Sequence, residues 1–404
     1  MKNLISAIVF LTLFYAHTNA QGLESYNQPT EHQMPPKLIP TVRKYWVSLP
    51  KDYEENTNRY PVLFLFDGNE AYLRNLILFD VDQLTKLGEI PPCIIVGVMQ
   101  RNRALDFGPL YAVKSNPNSD KVNGDKFFDF IKKELFPELQ KNYRTQNFKI
   151  GIGHSLGGLF LLNSFTKDPD FFNGIIAVSP ALEMNRDSIL FSNIKKTLHS
   201  KINKQTFFCW ASGTEGINEV AFRPASKVLD KLLADEPNPL FKYKYIDLPG
   251  KSHNATPLYS MLDAFGFIFN DWDIAKWYRG LFYDKAVEPV AAYKQRSNLV
   301  KRIYGFDEDP TEDRIQDNVG LQLAGKKEYA KALPYIEKAV QMNPNNAGYT
   351  EDLAEVLEKM KNYTAALNSY KIALGHLDKS GVDYKERSEK YRESIKRVEG
   401  LLMP

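Results

Sequence analysis

Short apolar runs alternate with amphipathic stretches between residues 40 and 270. The runs predict strands, because strands of a parallel sheet are buried on both faces and need no polar side. The predicted strands are Arg43–Pro50, Tyr60–Phe66, Cys93–Met99, Phe148–Ile152, Gly174–Val178, Gln205–Ala211 and Phe241–Leu248. Helical spacing is found in 71–87, 125–143, 225–234 and 257–270. Strands that alternate with helices predict an α/β fold with a mostly parallel, doubly wound sheet over 41–273.

Beyond residue 273 the pattern becomes helical and repeats after 34 positions. Tyr329, Ala332, Leu333 and Ala339 recur as Tyr363, Ala366, Leu367 and Ala373. This period predicts a small all-α domain of two tetratricopeptide repeats over 313–380, each a pair of antiparallel helices. We expect a helical linker over 274–312 and a capping helix in 381–404. Such repeats are a candidate surface for a protein partner.

Residues 1–20 have the pattern of a secretory signal peptide. Lys2 supplies a positive charge, the stretch from Leu4 to Tyr15 is apolar, and Thr18-Asn19-Ala20 forms a small-residue cleavage site. About twelve apolar residues are too few to span a bilayer. We therefore expect cleavage before Gln21, a polar lead-in over 21–40, and a periplasmic or secreted protein without a membrane anchor.

Composition and charge mainly exclude some classes of function. With 43% hydrophobic and 25% charged residues, the chain resembles an ordinary soluble globular protein. A net charge of +3 predicts no strong binding to nucleic acid or to an anionic membrane. No spacing of histidine and cysteine resembles a metal site, so we expect no metal and no organic cofactor. Cys93 and Cys209 lie in two different predicted strands, which favours buried free thiols.

One pentapeptide, Gly153-His154-Ser155-Leu156-Gly157, follows a predicted strand and precedes an apolar helical run. In that context G-x-S-x-G predicts a nucleophile elbow, a turn so sharp that side chains two positions from the serine would collide with backbone. Ser155 is therefore the predicted nucleophile. Its hydroxyl should lie at the carboxyl edge of the sheet, beside a helix N-terminus that can stabilise an oxyanion.

A serine nucleophile needs a histidine to accept its proton and a carboxylate to orient that histidine. Of the six histidines, His253 stands in a turn directly after the last predicted strand, so it is the predicted base. Glu215 follows the preceding strand and is the preferred acid, with Glu219 as its main competitor and Asp187 and Asp247 behind them. Nucleophile, acid and histidine in this order after successive strands are typical of α/β-hydrolases.

Backbone groups and one irregular loop complete the predicted site. The oxyanion hole is expected from the N–H groups of Leu156, directly after the nucleophile, and Asn69, after the strand that ends at Phe66. Residues 100–123 have no clear period, and loops at the carboxyl ends of strands often line a binding site. The candidate substrate-binding residues are Asp67, Arg103, Asp106 and His154.

With these residues assembled, the chain resembles the putative esterase family that includes esterase D, enterobactin-type siderophore esterases and mycolyltransferases, in a form with a tetratricopeptide tail. The matching segments are YPVLFLFDG at 60–68, IIVGVMQRNRALDFGP at 94–109, GDKFFDFIKKELFPELQKNY to GHSLGG within 124–158, GTEG at 213–216 and SHNATP at 252–257. The resemblance implies an α/β-hydrolase fold. It implies Ser155 as nucleophile, His253 as base, Glu215 as acid, and Asn69 and Leu156 as oxyanion donors.

The expected function is that of a secreted serine esterase that hydrolyses a small-molecule carboxylic ester through an acyl-enzyme. Siderophore lactones, acylated sugars and simple esters all remain open as substrates. A serine peptidase on the same fold is a second interpretation, although such enzymes normally carry a propeller or a large lid domain. A third is a non-catalytic scaffold that binds a partner through the repeats. The intact set of Ser155, Glu215 and His253 argues against the scaffold.

Overall fold

The structure is a computed structural model that describes residues 23–39, 41–109, 111, 123–184, 186–200, 202–272, 288–305, 311–377, 379 and 384–403. The predicted signal peptide, residues 1–20, lies outside the described residues. Much of the predicted linker over 274–312 lies outside them as well.

Eight strands form one mixed sheet in the order β1-β2-β4-β3-β5-β6-β7-β8. The strands are β1 Thr30–Met34, β2 Arg43–Ser48, β3 Tyr60–Phe66, β4 Ile94–Met99, β5 Thr145–His154, β6 Gly174–Val178, β7 Thr206–Ser212 and β8 Phe241–Asp247. β2 runs antiparallel to both β1 and β4, whereas β3 to β8 run parallel to one another. The carboxyl ends of the parallel strands therefore meet at one edge of the sheet.

Helices cover both faces of this sheet. They are α1 Ala71–Lys86, α2 Arg103–Phe107, α3 Gly124–Phe130, α4 Phe136–Asn142, α5 Leu156–Lys167, α6 Ser188–Ser200, α7 Ile217–Asp235 and α8 Thr256–Ile268. A π-helical segment, Ile131–Leu135, joins α3 to α4. The arrangement is the predicted α/β-hydrolase fold.

The central strand β3 shows why the apolar runs predicted this sheet. Phe64 and Phe66 point into the core on one face, whereas Leu63 and Leu65 point into the core on the other face. All four side chains are completely buried. A strand covered on both faces has no solvent side that would favour polar residues.

Two predictions for this domain are wrong in detail. Residues Thr30–Met34, expected in a loose lead-in, form β1 and pair with β2 at the edge of the sheet. Their sequence is polar because an exposed edge strand buries little. The helix expected from Ala225 begins at Ile217 instead. Its first two turns are largely exposed and include Pro224, so they lack an apolar helical pattern.

Six more helices follow among the described residues: α9 Pro289–Tyr304, α10 Glu312–Gly325, α11 Tyr329–Met342, α12 Ala347–Lys359, α13 Tyr363–His376 and α14 Tyr384–Leu402. α10 packs on α11, and α12 packs on α13. The turns within these pairs contain Lys327 and Lys361, which lie 34 positions apart and both have a positive φ. The helix pairs thus follow the period seen in the sequence, and their assignment to the tetratricopeptide class stays a prediction.

The helix α9 connects the sheet domain to the helical domain. Near its C-terminus, Val300 and Tyr304 pack into the core below the sheet, and the Tyr304 hydroxyl donates to the Ile268 carbonyl at 2.9 Å. Near its N-terminus, Val290 packs against Ile315 of α10. The segment expected to be a linker therefore contains a helix with a packing role. None of the described helices is both long and apolar enough to cross a bilayer.

Gly97 of β4 lies directly opposite Trp46 of β2, and a Cβ atom there would lie 1.9 Å from the indole ring. Trp46 is completely buried, and its Nε1–H donates to the Gly68 carbonyl at 2.8 Å. We expect Gly97→Ala to lower the free energy of unfolding by about 1–3 kcal/mol, because the ring cannot move without losing that hydrogen bond. Urea unfolding of the full chain measures the loss.

Gly266 in α8 provides the matched control. It is exposed, and a Cβ atom there would have no atom within 4 Å. Gly266→Ala should raise the free energy of unfolding by about 0.5–1 kcal/mol, because alanine loses less backbone entropy in a helix. Equal effects of the two substitutions would contradict the steric account of Gly97.

Candidate active site

Ser155 occupies the turn between β5 and α5 and has φ 58° and ψ −118°. A Cβ atom on Gly153 would lie 2.5 Å from backbone atoms of Gly157, so neither the strand nor the helix could yield to a side chain there. The Ser155 N–H donates to the Val178 carbonyl at 2.9 Å, which ties the turn to β6. A positive φ at a residue other than glycine costs about 1–3 kcal/mol, which the surrounding contacts must offset.

Two other residues at this edge of the sheet share the unusual backbone. Asp67 after β3 has φ 65°, and Ser179 after β6 has φ 40°. Together with Ser155 they follow three neighbouring strands, since β5 lies between β3 and β6. Strained residues of this kind cluster at functional sites. The strain therefore marks the carboxyl edge as the candidate active site.

His253 lies in the turn between β8 and α8, with its Nδ1 2.7 Å from Oε1 of Glu219. The second oxygen of Glu219 accepts the Gly213 N–H at 2.6 Å, and the glutamate is completely buried. Burial raises the pKa of the Glu219 carboxyl, but hydrogen bonds from His253, Ser179 and Gly213 together lower it by more, so the pKa lies below its ordinary value. An ionised Glu219 holds the proton on Nδ1 of His253 and leaves Nε2 free to act as a base.

The preference for Glu215 over Glu219 as the acid is wrong. The Glu215 backbone does pair with Ser252 in the histidine loop, as a successive-strand argument would require. Its side chain, however, is exposed and accepts a hydrogen bond from Thr214 at 2.9 Å. Because α7 begins at Ile217, its first turn brings Glu219 back to the histidine. A correct helix start would have favoured Glu219.

The two remaining acid candidates have other partners. Asp187 is completely buried and accepts hydrogen bonds from Tyr111 at 2.9 Å and from Arg186. Asp247 forms ion pairs with Arg223 at 2.7 Å and Lys227 at 2.8 Å. Neither carboxylate contacts His253 in the structure.

The prediction that Asp67 and Asp106 bind substrate is also wrong, because both carboxylates are about 1% exposed and are paired with arginines. Arg43 binds Asp106 through two hydrogen bonds of 2.7 and 2.9 Å. Arg103 binds Asp67 in the same way, at 2.7 and 2.9 Å. Burial raises the pKa of the Asp67 carboxyl above its ordinary value, although Arg103 opposes the shift. Both acids brace loops, and substrate contact by the partly exposed Arg103 stays a prediction.

His154, another candidate substrate contact, is turned away from solvent and towards the base. It is 5% exposed, and its Nε2 lies 3.0 Å from the backbone carbonyl of His253. The two imidazole rings are 4.5 Å apart between centroids, which places His253 at the elbow. The other nitrogen, Nδ1, lies 3.0 Å from the Tyr72 hydroxyl. Burial and, to a lesser extent, His253 lower the pKa of His154 to about 4, so His154 is neutral at neutral pH.

The predicted oxyanion donors occupy suitable positions. Leu156 is the first residue of α5, where the helix dipole favours negative charge. Asn69 is exposed in the turn after β3, next to Gly68, whose carbonyl Trp46 holds. Among the described residues, no backbone carbonyl accepts a hydrogen bond from either N–H. Their role as oxyanion donors stays a prediction.

The site offers a hydroxyl, an imidazole, a carboxylate and backbone N–H groups for chemistry. Within the part of the chain that the structure describes, no three histidine, cysteine, aspartate or glutamate side chains gather as a potential metal site. The arrangement suits transfer of an acyl group to Ser155.

Acid should destabilise the fold through His154. Its pKa is about 4 in the folded protein and 6.5 as an ordinary histidine, so the unfolded chain binds more protons between these values. Stability is therefore lost as the pH falls from about 6.5 towards 4. His154→Gln keeps a donor and an acceptor but does not titrate. We expect urea unfolding between about pH 7 and 4.5 to show a smaller loss in the variant than in the parent.

The charged and titratable groups that face His154 are Tyr72, Arg103, His253 and Glu219. The pKa of Glu219 lies below its ordinary value of 4.5, so the effect of Glu219 on stability belongs to the acid end of this pH range. The same loss of stability in the parent and in His154→Gln would contradict the account.

Part of the chain is similar in sequence to a curated protein. Over 157 residues the chain is 32% identical to the ferri-bacillibactin esterase BesA of Bacillus subtilis, covering 35% of this chain and 53% of that protein. The chain thus spans about half the length of this curated relative.

Two solved structures share the fold at low sequence identity. An uncharacterised protein from Capnocytophaga ochracea has a TM-score of 0.64 at 18% identity and covers 92% of this chain and 100% of its own. An IroE-like serine hydrolase from Shewanella oneidensis has a TM-score of 0.60 at 20% identity and covers 78% and 99%.

A family model also matches part of the chain. The model described as "Putative esterase" matches residues 38–227, a range that contains the elbow and Glu219. The match, the fold and the arrangement around Ser155 agree. Residues 38–227, just under half of the chain, are therefore similar to that esterase family.

Proposed function

We propose that this protein is a serine esterase that hydrolyses a carboxylic ester through an acyl-enzyme. The observation that carries the proposal is the buried Glu219 paired with His253 beside the elbow of Ser155. In the first step the Ser155 hydroxyl oxygen bonds to the carbonyl carbon while its proton passes to Nε2 of His253. The tetrahedral oxyanion accepts hydrogen bonds from the N–H groups of Leu156 and Asn69.

The second half of the reaction returns the site to its starting state. The tetrahedral intermediate collapses, the ester C–O bond breaks, and the departing alkoxide takes the proton from His253. Water then attacks the acyl group and gives a proton to His253, and the carboxylic acid leaves as Ser155 regains its proton. Glu219 stays ionised throughout and stabilises the imidazolium, an interaction strengthened by its burial.

Within the ester class, the relative named as a ferri-bacillibactin esterase favours a siderophore ester as the substrate. Acylated sugars and simple aryl esters belong in the same test, because the match covers only half of that relative. Hydrolysis of a siderophore lactone at a far higher kcat/KM than that of an acetylated sugar or a p-nitrophenyl ester would support the siderophore assignment. The reverse order would overturn it.

Ser155→Ala should abolish hydrolysis of p-nitrophenyl butyrate. We expect kcat to fall by about 10³-fold or more, because no other group in the site can form the acyl-enzyme. Release of p-nitrophenol measures the rate, and urea unfolding checks that the variant is folded. Undiminished turnover by a folded Ser155→Ala protein would refute the mechanism. A parent protein inactive on the whole ester panel would refute the function.

A matched pair of substitutions tests the acid. Glu219→Gln should lower kcat by about 10²–10⁴-fold, since an amide cannot hold the Nδ1 proton of His253 as a carboxylate does. Glu215→Gln, only four positions away, should change kcat by less than about twofold, because its side chain is exposed. A large loss in Glu215→Gln with a small one in Glu219→Gln would reverse the assignment.

A further inference from the structure

The backbone carbonyl of His253 is held by two side chains, one from the same turn and one from a distant strand. Thr256 Oγ1 donates to it at 2.7 Å from the start of α8. His154 Nε2 lies 3.0 Å from the same oxygen, at the end of β5. The turn that carries the base is therefore bound to the residue that directly precedes the nucleophile.

The direction of these hydrogen bonds follows from elementary chemistry. A carbonyl oxygen only accepts, so Nε2 of His154 must carry the proton. A neutral imidazole has one N–H, which leaves Nδ1 of His154 as an acceptor. The Tyr72 hydroxyl, 3.0 Å from Nδ1, must then be the donor. Both hydrogen bonds therefore run in the same direction: Tyr72 donates to His154, and His154 donates to the His253 carbonyl.

We propose, on the basis of the esterase function above, that His154 is a positioning residue that fixes the backbone of the base His253, and that Tyr72 selects the tautomer of His154 which does so. The contact between the two imidazole rings, whose centroids are 4.5 Å apart and whose planes are inclined by 38°, limits rotation of the base as well. His154 acts through His253 and does not itself exchange a proton with the substrate.

His154 can serve this purpose because its own backbone is tightly held. Arg103 Nη2 donates to the His154 carbonyl at 2.9 Å, and Asp67 binds Arg103 through two hydrogen bonds. Asp67 also accepts from Gln100 at 2.6 Å. The ends of β3, β4 and β5 are thereby joined before the histidine turn is attached to them. The His154 side chain then links these strand ends to the turn that carries His253.

Three substitutions separate positioning from simple packing. His154→Leu keeps an apolar side chain of useful volume but removes both nitrogens. His154→Gln restores an amide donor for the His253 carbonyl and an acceptor for Tyr72. Tyr72→Phe removes only a hydroxyl from a residue that is 46% exposed, so it should cost little folding stability.

We expect His154→Leu to lower kcat on p-nitrophenyl butyrate by about 10–100-fold with KM nearly unchanged, because a small displacement of a base costs that much. His154→Gln should recover most of the loss. Tyr72→Phe should lower kcat by about 2–10-fold, the effect of one hydrogen bond. Equal losses in His154→Leu and His154→Gln, or a His154→Leu protein as active as the parent, would overturn the proposal.

Proton NMR gives a readout that does not depend on catalysis. The Nδ1 proton of His253, bonded to Glu219, should give a low-field resonance in the parent, and Glu219→Gln should remove it and so assign it. The resonance should persist in His154→Gln and shift or broaden in His154→Leu and Tyr72→Phe. An unchanged resonance in a folded His154→Leu protein would overturn the positioning role.

The two proposals fail in different ways. A parent protein with the resonance, its shift in His154→Leu and no ester hydrolysis would refute the esterase while supporting the positioning role. If His154→Leu does not fold, Tyr72→Phe decides. A changed resonance in that variant supports the proposal, and an unchanged one overturns it.

Discussion

The contact between the backbones at Gly153 and Gly157 is the constraint on which the rest of the site depends. A side chain at Gly153 would lie 2.5 Å from the first turn of the helix, so strand and helix can meet at this angle only with glycine there. That closeness forces Ser155 into a positive φ and turns it out of the sheet. The strained backbone conformation of Ser155 persists because the surrounding hydrogen bonds, including the one from the Ser155 N–H to the Val178 carbonyl, hold the turn in place.

The buried carboxylates around the elbow are all paired with hydrogen-bond donors. Asp67, Asp106 and Glu219 are all almost fully removed from solvent, and each has at least two hydrogen-bond donors. A buried carboxylate without partners would shift its pKa upwards and lose its charge. Asp67 and Asp106 are paired with arginines and hold neighbouring segments of the chain together. Only the third presents its charge to an imidazole, which is why it alone suits the role of acid.

The helical domain is attached to the α/β domain away from the candidate active site. The α9 residues Val300 and Tyr304 pack below the sheet with Phe148 near the start of β5, whereas Ser155 follows the end of that strand. The resemblance to the Capnocytophaga ochracea structure extends over 92% of the chain and so includes much of the helical region. The packing of α9 on both domains gives this region a defined attachment.

The sequence by itself predicted the α/β sheet, the sharp turn at Ser155 and the position of His253 after the last strand, because each is a local signal of apolar runs, glycine spacing or position after a strand. The sequence did not predict the edge strand β1, since its residues are largely exposed and polar. Only the tertiary structure shows that Glu219 and not Glu215 contacts His253, because this depends on where α7 begins and on a contact between residues 34 positions apart. It also shows that the Asp67 and Asp106 carboxylates are buried against arginines and that His154 faces His253, since the sequence does not tell whether a polar residue at this edge faces a substrate or the protein interior.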